Sequence, residues 1–157
     1  MRHAKVVKRI TEPDAVYGSV LIAKFINRLM MDGKKTIAQR VVYGALNIIK
    51  SKGNDPVETF EKALSSIAPK VEIKARRVGG ANYQVPTEVK PERKNALAIR
   101  WLLEAADARP NKEYHTMAEK LVAEIMDAIE EKGAAIAKRN NTLRQADANK
   151  AFAHFRW

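Results

Sequence analysis

The sequence predicts a mainly α-helical single domain carrying one protruding β-hairpin, and three observations lead there. Apolar residues recur at three- and four-residue spacing through most of the 157 residues. The period drops to two only between Val71 and Val89, where Val71, Ile73 and Ala75 alternate with Glu72, Lys74 and Arg76. A chain of this length makes about one domain with a sizeable core, and without cysteine it has no disulfide or thiolate metal site to lean on.

In chain order, residues 1–14 carry Arg2, Lys5, Lys8 and Arg9 with no core-building period, and read as a basic arm or a frayed terminus. A first helix is expected from about Val20 to Met31, since Leu21, Phe25 and Leu29 repeat every four residues, and Asp32-Gly33 ends it. A second, about Ile37 to Ser51, follows Thr36 and Gln39 in a capping-box pattern, with Ile37, Val41, Ala45 and Ile48 as its inward stripe beside Val42, Leu46 and Ile49. Asp55, Pro56 and Glu58 open a third helix that Pro69 stops.

The hairpin, 71–89, turns on Gly79-Gly80 or on Gly80-Ala81; either way opposed residues have numbers with an odd sum, so the faces are the same. Neither face is apolar enough for a core, and a lone ribbon is marginal in water. With Lys74, Arg76 and Arg77 on it, a polyanion is the expected support, although basic residues also discourage edge pairing in a merely solvated hairpin.

Pro91 opens a fourth helix running to Arg109-Pro110. Its first turns present Arg93, Lys94 and Arg100, and cations at a helix start oppose the macrodipole, a conflict that a bound phosphate would relieve. A fifth helix is expected from about Thr116 to Glu131, with Met117, Leu121, Ile125 and Ile129 inward and its acidic residues outside. Gly133 terminates it or kinks it into a last helix, Ala134 to about Ala151, with Ile136, Leu143 and Ala146 inward and Lys138, Arg139, Arg144 and Lys150 outward. The aromatic and basic tail, 150–157, can stack on bases or tuck Phe152 and Trp157 into a groove, and the tucked reading is preferred.

The net charge of +11 and pI near 9.9 point to nucleic acid or an anionic membrane surface. The charge is segregated: residues 70–100 hold eight basic and three acidic residues, whereas 101–131 hold three and eight. No signal-type segment follows the basic start, and Lys24 and Arg28 interrupt the most apolar run, so neither export nor a membrane span is expected. Catalysis is poorly served. His3, His115 and His154 lack metal-ligand spacing, and Gly33-Lys34-Lys35-Thr36 follows a helix instead of the strand that a phosphate loop requires.

Several long motifs in order, Tyr17–Asn27, Met31–Leu46, the hairpin, Pro91–Leu102 and the ending N-K-A-F-A-H-F-R-W, resemble the bacterial form of the ribosomal protein seven family of the small subunit. The resemblance spans nearly the whole chain. It implies a cytoplasmic, non-enzymatic ribosomal protein without cofactor or obligate self-association, which binds small-subunit ribosomal RNA, organises its 3′ major domain and starts assembly of the subunit head. Arg2, Lys5, Lys8 and Arg9 would then form the RNA-binding arm, with Lys34 and Lys35 at the turn after the first helix and Lys74, Arg76, Arg77, Arg93, Lys94 and Arg100 as the central surface. The tip, Gly79, Gly80, Ala81, Asn82 and Tyr83, and the last helix with Arg139 and Arg144, would lie near exit-site transfer RNA and messenger, among head and platform proteins. The opening Met-Arg-His-Ala and the run Arg139–Gln145 depart from the family pattern. The runner-up is a DNA-bending protein, whose ribbon tip usually carries an apolar wedge that Gly79, Gly80, Ala81 and Asn82 do not supply.

Overall fold

In the computed structural model, which describes residues 10–155, six α-helices surround one core and a two-stranded ribbon projects between the third and fourth. The helices are α1 Val20–Leu29, α2 Lys35–Ser51, α3 Pro56–Ile67, α4 Pro91–Asp107, α5 Met117–Ile129 and α6 Ala134–Ala148; the strands are β1 Val71–Val78 and β2 Ala81–Glu88. A 3-10 turn, Lys150–Phe155, follows α6 where a continuing helix is expected to reach Ala151. His3, Arg156, Trp157 and the arm's Arg2, Lys5, Lys8 and Arg9 lie outside the described residues.

The caps decide where the elements begin. Asp55 accepts a hydrogen bond from the Glu58 amide at 2.8 Å with Pro56 in the first turn, and Thr116 and Glu119 close a full capping box on α5. The pattern at Thr36 does not cap. The Asp32-Gly33 reversal, with both residues at positive φ, delivers the chain so that α2 starts at Lys35 and Thr36 already lies inside it. The buried stripe of α2 is accordingly Ala38, Val42, Ala45, Leu46 and Ile49, and Ile37, expected inward, is 53% exposed. The first helix ends two residues early, leaving Met31 on the surface.

The core is built around α5, which packs against α2, α3, α4 and α6. Leu121 and Ile125 fill its centre, Met117 sits at its margin, Ile129, expected inward, is exposed, and Phe25 meets Phe60 edge-on with ring centroids 5.0 Å apart. One acidic residue of α5 breaks the expected outward pattern: Glu124 is 1% exposed. It takes two hydrogen bonds from Arg109, at 2.8 and 2.5 Å, and its other oxygen accepts from the Ala135 amide at 2.9 Å. Thus a side chain of α5 caps the start of α6, where Gly133 bends the chain at φ 90. A Cβ at Gly133 would lie 2.8 Å from the Glu124 Oε1, so glycine is required by both backbone and space. Arg109 also binds Asp127 and lies over the Tyr114 ring. Burial disfavours its charge, but the hydrogen bonds it donates to Asp127 and Glu124 outweigh that and raise its pKa.

Asp14 secures the segment before α1. It accepts from the amides of Val16 and Tyr17 and from the Tyr43 hydroxyl at 2.7 Å; burial, then that bond, raises the Tyr43 pKa.

The ribbon turns on Gly79-Gly80, at φ 57 and 90, and pairs Val78 with Ala81 through to Val71 with Glu88. Its support differs from the expected polyanion: β2 lies against the terminal 3-10 turn, and β1 against α6. Tyr83 packs between Phe152 and Phe155, at 5.2 and 5.1 Å, while Val85, Pro86 and Thr87 are buried below it. The apolar partners for the ribbon come from the far end of the sequence, so its own alternation could not show them.

Candidate nucleic-acid interface

On α1, Val20, Lys24 and Arg28 lie at four-residue spacing and share a face; on α4, Glu92, Ala96 and Arg100 do the same. Packing of α1 against α4 opposes these lines and leaves a hollow of about 680 Å3 between them, completed by Ile10, Thr11, Asn95 and Ile99. Lys24, Arg28 and Arg100 therefore converge, although they come from points some seventy residues apart in the chain. Glu92 lines the same hollow, and the Arg100 Nε is buried without an acceptor.

The hollow is one of a series. It shares Ile10 and Thr11 with a cleft of about 550 Å3 that reaches Lys35 and Gln39 at the start of α2. Through Arg28 and Arg100 it adjoins a smaller depression of about 240 Å3 formed with Leu29, Met31, Leu103 and Met117 and with the acids Glu104 and Asp107. Lys34, expected beside Lys35, stays on the surface 3.7 Å from Asp32.

At the ribbon base the charges are arranged differently. Glu72, 13% exposed, binds Lys74 at 3.1 Å and the Arg93 Nε at 3.3 Å. Burial would raise its pKa, but hydrogen bonds and charge from Lys74 and Arg93 prevail and hold it below the usual carboxylate range. The cation expected to oppose the dipole of α4 is therefore compensated by a protein carboxylate rather than left for a phosphate. Arg76 stands opposite Tyr83 and is half-buried; Arg77 projects from the other face and is exposed, as are Gly79, Gly80, Ala81 and Asn82. Lys94 is half-buried one residue beyond Arg93.

In α6, Arg144 is exposed as expected, whereas Arg139, expected outward, is half-buried. Its guanidinium donates to the Ser66 carbonyl at 2.6 Å and to Asn140, tying α6 to the end of α3. Leu143, expected inward, is only half-buried. Lys24 and Arg28 are the residues of this candidate surface that sequence reasoning missed. Their signal was present in the four-residue spacing with Val20, but it reads first as a polar interruption of an apolar helix.

The sequence of the whole chain shows what kind of protein presents this surface. Residues 1–150 match the family described as ribosomal protein S7p/S5e. The chain belongs to that family. Relatives named small ribosomal subunit protein uS7 agree: the protein of Levilactobacillus brevis is 53% identical over 157 residues, that of Moorella thermoacetica 54% and that of Alcanivorax borkumensis 55%, each alignment covering 99% of both chains. The S7p/S5e family is one of ribosomal proteins, so the chain is a structural protein rather than an enzyme. No helix among the described residues is long and apolar enough to cross a membrane.

Proposed function

We propose that the chain is a structural constituent of the small ribosomal subunit that binds ribosomal RNA of the 3′ major domain through the α1–α4 surface and the ribbon, and so helps to start assembly of the subunit head in the cytoplasm. The observation that carries this is the convergence of Lys24, Arg28 and Arg100 on one hollow whose lining holds three cations to one acid, Glu92. The uS7 name of its relatives supports the assignment to the small subunit. A-form RNA closes its deep groove to side chains, so a rigid body can hold it only by phosphates, 2′-hydroxyls and shape. Cations spread over α1, α4 and the ribbon suit that task, and release of counterions from the phosphates supplies much of the affinity.

The ribbon is braced near its tip, where Tyr83 packs on the chain's own C-terminal turn, and the two glycines beyond are exposed. That supports a stiff arm whose tip, residues 79–83, reaches toward exit-site transfer RNA and messenger. On α6, Arg144 is the residue free to join it, Arg139 being engaged within the body. Neighbouring head and platform proteins complete the proposed surroundings, and no second copy of the chain is needed.

Footprinting on a transcript of the isolated 3′ major domain tests this. Protection should appear at a helical junction and should resist competition by duplex DNA. A footprint lost to equal amounts of duplex DNA would favour the DNA-bending alternative, and absence of any footprint at moderate salt would end the proposal.

A further inference from the structure

We infer that the hollow between α1 and α4 takes one unstacked nucleotide of the bound RNA, with its base against the apolar wall and its phosphate on Lys24, Arg28 and Arg100. This deepens, and rests on, the reading of the chain as an RNA-binding protein.

A surface that only tracked phosphates would need neither depth nor apolar lining. The hollow has both: its volume of about 680 Å3 lies within the ~300–1,000 Å3 range of small-ligand sites, and Val20, Ala96 and Ile99 form its wall. Asn95 stands on the same wall, offering both a donor and an acceptor to a base edge. The Arg100 Nε adds a buried N–H that the protein itself leaves without an acceptor. Paired bases in an RNA helix cannot enter such a space, whereas a base splayed from a loop or bulge can, and unstacked bases are what proteins read in RNA. The ribbon base shows the contrasting case, since Lys74 and Arg93 are already paired with Glu72.

The test fills the space without touching the charge. Ala96 is exposed in the middle of α4, so Ala96→Phe should fold and project its ring into the hollow. Binding of the wild type and Ala96→Phe is measured, across a range of salt, to a transcript of the 3′ major domain and to a fully paired RNA duplex. The expected result is at least a tenfold loss on the transcript, with duplex affinity and both salt slopes unchanged, and with one base that wild-type protein shields from base-specific chemical probes becoming reactive again. Ala96→Phe binding the transcript like the wild type, or losing transcript and duplex alike, would overturn the inference while leaving RNA binding intact. Wild-type protein that ignores the transcript altogether would instead remove the underlying reading. Should Ala96→Phe fail to fold, Arg100→Gln serves: it must weaken the transcript complex more than the duplex complex, and an equal loss on both overturns the inference.

Discussion

Two regions of this molecule use charge in opposite ways. Between α4, α5 and α6, the Arg109 guanidinium is held by Glu124 and Asp127, and Glu124 spends its remaining oxygen on the Ala135 amide. Between α1 and α4, Lys24, Arg28 and Arg100 line one hollow, three cations to the single acid Glu92. Like charges held close destabilise a fold unless something anionic arrives, whereas a buried pair is part of the fold itself. The chain's net charge cannot make this distinction; pairing does. Glu72 stands between the extremes, a carboxylate that holds two cations at the ribbon base where RNA is proposed to pass.

The largest effect is expected where charge builds the fold. Glu124→Ala would strand Arg109 and uncap α6, and loss of one partner from such a buried pair costs about 3–5 kcal/mol. Urea denaturation should show that loss, with RNA affinity of the folded fraction unchanged at low denaturant. A loss under 1 kcal/mol would erase the contrast between the two regions. Replacing Lys24, Arg28 and Arg100 together by Gln should do the reverse: stability should hold or rise by a few tenths of a kcal/mol, since repulsion is relieved. The slope of log affinity against log salt should meanwhile fall by roughly 0.7–0.9, the share of the one phosphate that the three cations hold together. An unchanged slope would show that these cations meet no phosphate.

The comparison also explains what was legible in the sequence. Helices, the hairpin and its face assignment follow from local periodicity, because each period reports which side of an element is dry. The Glu124 network did not show, because an acid on α5 looks solvated until Arg109 and Ala135 are brought to it from other elements. Nor did the bracing of the ribbon, since Tyr83 and Phe152 are separated by almost seventy residues, three helices among them. For the same reason the capping pattern at Thr36 misled: the turn at Asp32-Gly33 fixed the helix start before the cap could act. Among the site residues, Arg93 and Arg100 read alike on α4, and only tertiary placement separates the one held by Glu72 from the one whose Nε has no acceptor.

A smaller effect should follow from Tyr83→Ala. Removing a ring that meets both Phe152 and Phe155 should cost about 1–3 kcal/mol beyond the buried area, at ~0.5–1.5 kcal/mol for each of the two aromatic pairs. Because the ribbon is peripheral to the core, hydrogen exchange should speed up across residues 71–88 while α5 amides keep their protection. Uniform acceleration through the helices would mean that the ribbon is an integral part of the core and not a braced arm.

The smallest effect concerns Glu72, and its sign can be worked out. The folded-state pKa lies below the ordinary glutamate value of 4.5, because the contributions of Lys74 and Arg93 exceed the opposing effect of burial. A group with a depressed folded pKa contributes its full stabilisation above the unfolded value and loses it as pH falls through the folded one. Acidification from just above pH 4.5 downward should therefore loosen the contact between β1 and the first turn of α4, and Glu72→Gln should remove that part of the pH dependence. At neutral pH the same substitution frees Lys74 and Arg93 from their carboxylate, so affinity for a plain RNA duplex should rise modestly while preference for the junction falls. If Glu72→Gln instead left both affinities and the acid limb of the stability curve as in the wild type, Lys74 and Arg93 would already be as available as Lys24 and Arg28. Pairing would then no longer divide the cations that hold the protein together from those that hold its RNA.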